Sequence, residues 1–170
     1  MPWQPVSAEL IAAPVSAFLA TWPRGEQVLV ASIDPELADT AEFCARYDVA
    51  LEDSANCVVI AGRRGDDVRY AACVVLASTR ADVNGAVRRR LDARKASFAA
   101  VDDAVELTGM EYGGITPIGL PPSWPVLVDR AVLDRDVVVI GSGLRRSKLA
   151  LPSSALAELP GAEVIVDLAS

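Results

Sequence analysis

Apolar residues near the start of the chain recur with the spacing of an amphipathic helix. They occupy positions i, i+3, i+4 and i+7, which places them on one helix face. These residues are Val15, Phe18, Leu19 and Trp22. We place this helix at residues 7–22, as an N-terminal extension packed on the rest of the domain, with Pro14 in its first turn.

A strand and a second helix are predicted next. Residues 28–33 are apolar enough to form a short strand. Asp34 is suited to cap a helix, and Pro35 and Glu36 are typical of a helical first turn. The pattern therefore predicts a second helix from Asp34 to about Tyr47.

From Cys57 the pattern changes to that of a β-hairpin. Apolar arms at residues 58–60 and 70–76 flank a turn at residues 62–67. The second arm ends in six consecutive apolar residues. Such a run is typical of a strand that is buried on both faces.

The second half of the chain alternates irregularly between short strands and short helices. One helix is capped by Asp82, and another runs from Asp102 to a glycine stop at Gly109. A last short helix would be capped by Ser153 or Ser154. Strands are predicted at 97–99, 126–129, 137–140, 148–151 and 163–166, with a short turn or helix at 131–133. Strands and helices in no regular order indicate an α+β fold.

A loop rich in glycine and proline, Thr108–Pro122, interrupts this series. It contains four of the chain's eleven glycines and three of its eleven prolines. Glycine reaches positive φ and proline fixes φ, so a long run of both without polar filler indicates a loop of defined shape. Such loops often bind ligands, and the alternative is a tight crossover between a helix and a strand.

Composition narrows the classes of function. The chain has 170 residues, of which 52% are hydrophobic and 5% aromatic, and this predicts a single domain over residues 1–170. It contains no histidine, which is the commonest general base and metal ligand. No nucleophile elbow, P-loop or HExxH motif is present. We therefore expect no metal and no cofactor, and any catalysis must depend on positioning, backbone dipoles or the substrate's own groups.

Charge is unevenly distributed along the chain. The net charge is −7, and residues 1–56 hold nine acidic and two basic side chains. Residues 57–101 instead hold nine basic and four acidic side chains, which suits either a local phosphate-binding face or a solvated surface. We expect no DNA partner for so acidic a chain. No apolar run spans a bilayer and the start lacks a signal-peptide pattern, which predicts a cytoplasmic protein with no membrane partner.

Two isolated features have alternative interpretations. Cys44, Cys57 and Cys73 are odd in number and lack metal-site spacing, so we expect three small buried side chains. Asp129 ends an apolar strand and is either a capping residue or a site carboxylate.

The Gly-Ser-Gly segment at 141–143 resembles half of a dinucleotide fingerprint. Arg146 stands where the third glycine would be, which disfavours a nucleotide cofactor. The segment is instead either a simple anion site, with charge added by Arg145, Arg146 and Lys148, or a tight β-turn with solvated arginines.

The loop and the strand after it form one composite motif. Its residues are Thr108-Gly109, Gly113 to Leu120 and Pro125 to Asp129. This motif resembles the YbaK/EbsC family, free-standing relatives of the editing domain inserted in bacterial prolyl-tRNA synthetases. The resemblance covers roughly residues 35–168. It implies a compact α+β domain with a curved, barrel-like mixed β-sheet surrounded by helices.

The same resemblance implies an activity. Family members hydrolyse the ester of a mischarged tRNA in trans, and editing of the tRNA-Pro type would be expected here. Their GxxxP loop shapes the aminoacyl pocket, and its backbone orients the ester while the terminal ribose hydroxyl helps to activate water. The matching residues in this chain are Gly113, Gly114, Ile115, Thr116 and Pro117.

The resemblance also suggests the remaining site residues. The family's lysine before the first hairpin strand is Asn56 here, which hydrogen-bonds but supplies no charge. Lys95, Arg145 and Arg146 are expected to meet the phosphates of the tRNA acceptor end. The other expected substrate-binding residues are Ile115, Gly119, Asp129, Gly141, Ser142 and Gly143.

Asn56 leaves three functions open. The leading hypothesis is a trans-acting aminoacyl-tRNA deacylase, whose partners are a mischarged tRNA and possibly an aminoacyl-tRNA synthetase. The second is a catalytically inactive binding module for a tRNA end or an amino-acid derivative. The third is a hydrolase of free amino-acid esters.

Overall fold

Two β-sheets organise the chain in the computed structural model, which describes residues 1–170. The strands are β1 (Gln4–Pro5), β2 (Leu29–Ser32), β3 (Ala55–Arg64), β4 (Asp67–Leu76), β5 (Lys95–Phe98), β6 (Val126–Asp129), β7 (Val137–Gly141), β8 (Ser147–Pro152) and β9 (Ala162–Ile165). The four-stranded sheet has the order β1-β2-β8-β7 and is antiparallel. The five-stranded sheet has the order β5-β3-β4-β6-β9 and is mixed, since β6 pairs in parallel with both β4 and β9.

Short helices connect these strands. The α-helices are α1 (Ala13–Leu19), α2 (Thr40–Tyr47), α3 (Arg88–Arg90) and α4 (Val101–Thr108). A π-helical turn, Val83–Val87, precedes α3. The 3₁₀ turns are Ala8–Leu10, Gly25–Gln27, Pro35–Leu37, Leu51–Asp53, Arg130–Asp134 and Ser153–Glu158. Judged by length and hydropathy, none of the helices qualifies as a membrane span.

The main core lies between the two sheets. Val30 and Leu149 of the four-stranded sheet pack in one cluster with Val74 and Val128 of the five-stranded sheet. On its other face, the five-stranded sheet packs against residues that include Val87. Val74 of β4 lies in the first cluster and its neighbours Cys73 and Val75 lie in the second, which confirms the prediction of a strand buried on both faces.

The predicted α+β class and mixed sheet are confirmed. A single bridge between Ser54 and Val139 links the two sheets, and the strand pairings do not form a closed barrel. The hairpin is also confirmed, although its turn is shorter than predicted. β3 continues to Arg64 and β4 begins at Asp67, because Gly65 adopts φ +61° and the hairpin closes in the two residues Gly65 and Asp66.

Three predicted helices differ from the structure. The helix predicted over 7–22 is divided into a 3₁₀ turn and α1, which ends at Leu19. The helix predicted from Asp34 is interrupted before α2, because the backbone at Asp39 is extended. Neither Ser153 nor Ser154 caps the last helix: Pro152 holds that position, and the Ser153 hydroxyl donates to backbone carbonyls before β7.

Candidate active site

A cavity of about 270 Å³ lies between β3, the Gly/Pro loop and β8. Four of the residues predicted for the site line it: Asn56, Gly113, Ile115 and Gly141. Asn56 and the loop therefore face one space, although 57 positions separate Asn56 from Gly113 in the sequence. The loop is a wall of this cavity and not only a crossover.

Glycines allow the loop to pack directly against the turn after β7. Gly113 adopts φ +89°, and a Cβ added there would lie 2.0 Å from Nη1 of Arg145. A Cβ on Gly114 would lie 2.7 Å from the backbone of Leu144, and one on Gly141 would lie 2.5 Å from the Gly114 carbonyl oxygen. The Gly143 N–H donates to that same carbonyl at 2.7 Å. Loop and turn thus form one closely packed unit whose backbone meets the cavity.

The rest of the loop is anchored in the protein interior. Thr116 and Ile118 are fully buried, and the Thr116 hydroxyl has no hydrogen-bond partner. Gly119 packs against α1, where a Cβ would lie 2.5 Å from the Pro14 carbonyl oxygen. Thr116, Pro117 and Gly119 do not line the cavity. These three residues support the cavity-lining part of the loop from the protein interior.

Arg145 joins the loop to the segment before α2. Its guanidinium donates to the carbonyl oxygens of Pro35 and Tyr112, each at 3.2 Å, and lies 3.4 Å from the Asp39 carboxylate. Because Tyr112 and Asp39 line the cavity, Arg145 braces its mouth. Arg146 is tied elsewhere, since its guanidinium donates to the Glu9 carbonyl.

Asn56 lies near the start of β3, where it pairs with Val75. Its Oδ1 atom accepts a hydrogen bond of 2.5 Å from the Thr40 hydroxyl, and both residues line the cavity. No other hydrogen bond involves the Asn56 side chain, so its two amide N–H donors are available to a ligand. Such N–H donors can bind a carbonyl or a ribose oxygen.

Lys148, which the sequence suggested only as one cation of an anion site at the Gly-Ser-Gly segment, lines the cavity with its side chain. Lys148 is 7% exposed, and its Nζ donates to the Ala38 carbonyl at 2.9 Å. Burial lowers the pKa of Lys148 below its ordinary value, and Arg145 adds to that effect while Cys44 and Asp39 oppose it. A lysine in an otherwise apolar strand segment is the local signal for this buried position.

Cys57 also lines the cavity and is half-buried, whereas Cys44 and Cys73 are buried as predicted. Burial strongly raises the pKa of the Cys57 thiol, and it raises that of Cys73 to about 12. A thiol that stays protonated at neutral pH is a poor nucleophile. The cavity therefore offers amide, hydroxyl, ammonium, carboxylate and backbone groups, but no activated thiol.

Two exposed aromatic side chains stand at the rim. Phe98 is 65% exposed and Tyr112 is 59% exposed, and both line the same cavity. Large aromatic surfaces are normally buried, so a pair at one opening marks a surface suited to a flat ligand. The sequence predicts a strand around Phe98 and a loop around Tyr112, and neither pattern indicates that the two rings share one opening.

The other predicted residues lie outside the cavity. Asp129 is 2% exposed, and its Oδ1 accepts from the Leu168 N–H at 3.2 Å, which secures the C-terminal segment. Burial raises the pKa of the Asp129 carboxyl. The Ser142 hydroxyl is used within its own turn by Ser147 and Leu144. Lys95 is exposed on β5 and apart from the cavity lining.

Comparison with known proteins gives one family and several similar structures. The model of the aminoacyl-tRNA editing domain matches residues 34–159. The crystal structure of a hypothetical protein, APE2540, superposes with a TM-score of 0.79 at 24% identity, covering 92% of this chain and 99% of that one. A proposed trans-editing enzyme for prolyl-tRNA synthetase gives 0.78 at 22% identity, covering 95% and 97%. A proposed signal transduction protein from Marinobacter aquaeolei gives 0.59 at 18% identity, and covers 92% of this chain but 30% of that one.

No curated protein matches the sequence. At these identities the similar structures show a common fold, whereas the family match spans most of the chain and includes the whole Gly/Pro loop. The match confirms the family relationship that the composite motif predicted. The chain belongs to the aminoacyl-tRNA editing domain family.

Proposed function

We propose that this protein is a trans-acting deacylase that hydrolyses the ester of a mischarged tRNA, with the tRNA-Pro type as the expected substrate. The observation that carries the proposal is the single cavity shared by Asn56 and the Gly113 end of the loop. In a chain of this family, that cavity is the natural place for the aminoacyl group.

The size of the cavity suits an aminoacyl ester. Its volume of about 270 Å³ is slightly below the roughly 300–1,000 Å³ of pockets that enclose drug-sized ligands. An amino-acid side chain and its ester fit such a space, and the nucleotide then lies at the opening. The terminal base would stack there on Phe98 or Tyr112, as unpaired bases do on aromatic side chains.

Unpaired basic side chains lie on and next to the edge strand that carries Phe98. Lys95 and Phe98 are three residues apart on the edge strand β5, a span of about 10 Å at the usual rise of a strand. Arg63 pairs with Lys95, and Arg94 precedes it. All three cations are exposed and none is in an ion pair. We assign the phosphates of the acceptor end to this group, whereas Arg145 and Arg146 are already bound to carbonyl oxygens.

The reaction depends on orientation more than on an enzyme base. The chain has no histidine, and the Cys57 thiol is kept protonated by burial, which raises its pKa. The backbone at Gly113 and the Asn56 amide would orient the ester carbonyl. Water then adds to the carbonyl carbon, the bond to the ribose oxygen breaks, and that oxygen takes up a proton. The free amino acid and the uncharged tRNA leave.

Release of amino acid from a panel of mischarged tRNAs tests this proposal. We expect release above buffer hydrolysis for at least one tRNA, and slower release from the same amino acid as a free ester. Equal rates on free esters would instead indicate a small-molecule hydrolase. No release from any tRNA, with binding that weakens as salt rises, would overturn the deacylase proposal in favour of the binding module that Asn56 suggests.

A further inference from the structure

We propose that Lys148 is the charged group of this site and that its ammonium stabilises the negative charge that develops on the ester carbonyl oxygen. This inference rests on the proposed function, because it assigns the ester reaction to the same cavity. Lys148 would be a catalytic residue, in contact with the reacting oxygen.

Lys148 has unused hydrogen-bonding capacity. An ammonium group has three N–H donors, and only one hydrogen bond is made, to the Ala38 carbonyl. The Nζ atom also lies 5.1 Å from the centre of the Phe43 ring, which provides a weaker contact for the charge. Two donors therefore have no partner in the protein, on a side chain that lines the cavity.

The charge of Lys148 is also unpaired. Lysine is almost never fully buried unless it is paired, and no carboxylate lies within ion-pair distance of this one. Asp39 is the acidic residue of the cavity lining, and its carboxylate contacts Arg145 instead. A methionine would fill the same space without the cost of burying a charge. A buried, unpaired ammonium beside a cavity is therefore a feature that a negatively charged ligand group would complement.

Strand register places this ammonium on the loop's side of the cavity. Lys148 on β8 pairs with Gly141 on β7, and Gly141 packs against the carbonyl oxygens of Gly114 and Ile115. The ester carbonyl, held against the loop, would then have Lys148 on one side and Asn56 in the same cavity. When water adds, the carbonyl π electrons move to that oxygen, and the ammonium stabilises the oxyanion without giving up a proton. The carbonyl π bond re-forms as the bond to the ribose oxygen breaks, and that oxygen leaves with the electron pair and takes up the proton lost by the attacking water.

Two adenosine analogues separate charge stabilisation from general binding. One joins the amino acid to the ribose by a neutral amide, and the other carries an anionic aminoalkylphosphonate that mimics the tetrahedral intermediate. We expect wild-type protein to bind the phosphonate at least about 30-fold more tightly than the amide, and Lys148→Met to lose that preference while still binding the amide. Lys148→Arg should retain part of it. Arg130→Met, which removes the same charge from an exposed pair with Asp134, is the matched control.

Turnover on a mischarged tRNA completes the test. Lys148→Met should lose about 100-fold in kcat with KM within about 3-fold of wild type, as expected when a charge acts on the transition state. The inference is overturned if Lys148→Met turns over normally, or if it weakens binding of both analogues equally. Absence of turnover in wild-type protein would refute the deacylase proposal separately, because the analogue preference is measured without hydrolysis.

Discussion

The hydroxyl of Thr40 donates a hydrogen bond of 2.5 Å to Oδ1 of Asn56 in the wall of the cavity. This bond occupies the acceptor of the amide and leaves its two N–H donors. Asn56 is thus a fixed, neutral donor group that faces the loop. It has the hydrogen-bonding capacity needed to hold an ester or ribose oxygen, even though it carries no charge.

Replacement of Asn56 by Ala should reduce kcat/KM for deacylation by about 10- to 100-fold, the range expected when a ligand loses hydrogen bonds to a partly buried amide. Thr40→Val should cause a smaller loss, because it frees the amide to rotate but keeps its donors. Rates on a mischarged tRNA, measured under single-turnover conditions, check both variants. Full activity of Asn56→Ala would place the ester elsewhere.

Gly113→Ala should reduce turnover by at least about 100-fold, since a misplacement of about 1 Å in a positioned site has an effect of this size. The new Cβ would lie 2.0 Å from Nη1 of Arg145 and would displace the Arg145 guanidinium from the loop. The positive φ adds a stability cost of about 1–2 kcal/mol. Deacylation rates and urea unfolding measure the two effects.

Gly65→Ala is the control for backbone strain. Gly65 has a similar positive φ of +61°, but nothing lies within 4 Å of an added Cβ in the hairpin turn. It should show a similar stability loss with unchanged turnover. Equal losses of activity in the two variants would show that the Gly113 effect is strain and not displacement of Arg145.

Phe98→Ala should weaken binding of the tRNA end by about 5- to 150-fold, equivalent to the roughly 1–3 kcal/mol attributed to stacking of one base. The expected change is in KM, because the ring lies at the rim of the cavity and not beside the ester. Val166→Ala removes another exposed side chain, 71% exposed and outside the cavity lining, as the control. An unchanged KM for Phe98→Ala would remove the stacking surface from the account.

Lys148→Met should leave the protein at neutral pH as stable as wild type, or more stable by about 1 kcal/mol, because it ends the burial of an unpaired charge. Burial lowers the pKa of Lys148 in the folded state, with Arg145 in the same direction and Cys44 and Asp39 opposed. Above that lowered pKa the folded state loses the proton that the unfolded state keeps to about pH 10.4, so wild type gains stability with rising pH.

Urea unfolding of both proteins at pH 7 and pH 10 checks this prediction. The advantage of Lys148→Met should shrink at pH 10. A marked destabilisation by Lys148→Met at pH 7 would instead mean that the lysine is a structural element whose contact with the Ala38 carbonyl outweighs its burial cost.

Local signals predicted much of the fold. The apolar arms of the hairpin and the strand Val126–Asp129 were recognisable because their side chains alternate between, or fill, two buried faces. The Gly/Pro loop was recognisable because positive φ and close backbone contact require glycine, as at Gly113.

Long-range contacts explain the features that the sequence did not predict. The helix predicted from Asp34 is interrupted where the Ala38 carbonyl meets Lys148, a contact between residues 110 positions apart. The same contact brings Lys148 to the cavity wall. Phe98 reaches the rim because β5 pairs with β3 at the sheet edge. Such pairings arise from tertiary packing and leave no periodic pattern in the sequence.

A crystal structure with the neutral amide-linked aminoacyl-adenosine tests the central claim most directly, because that claim concerns where the ester lies. We predict the aminoacyl group in the cavity between Asn56 and Gly113, its carbonyl oxygen within hydrogen-bond distance of Asn56 or Lys148, and the adenine on Phe98 or Tyr112. An analogue bound outside this cavity, with Asn56 and the loop unoccupied, would contradict the account.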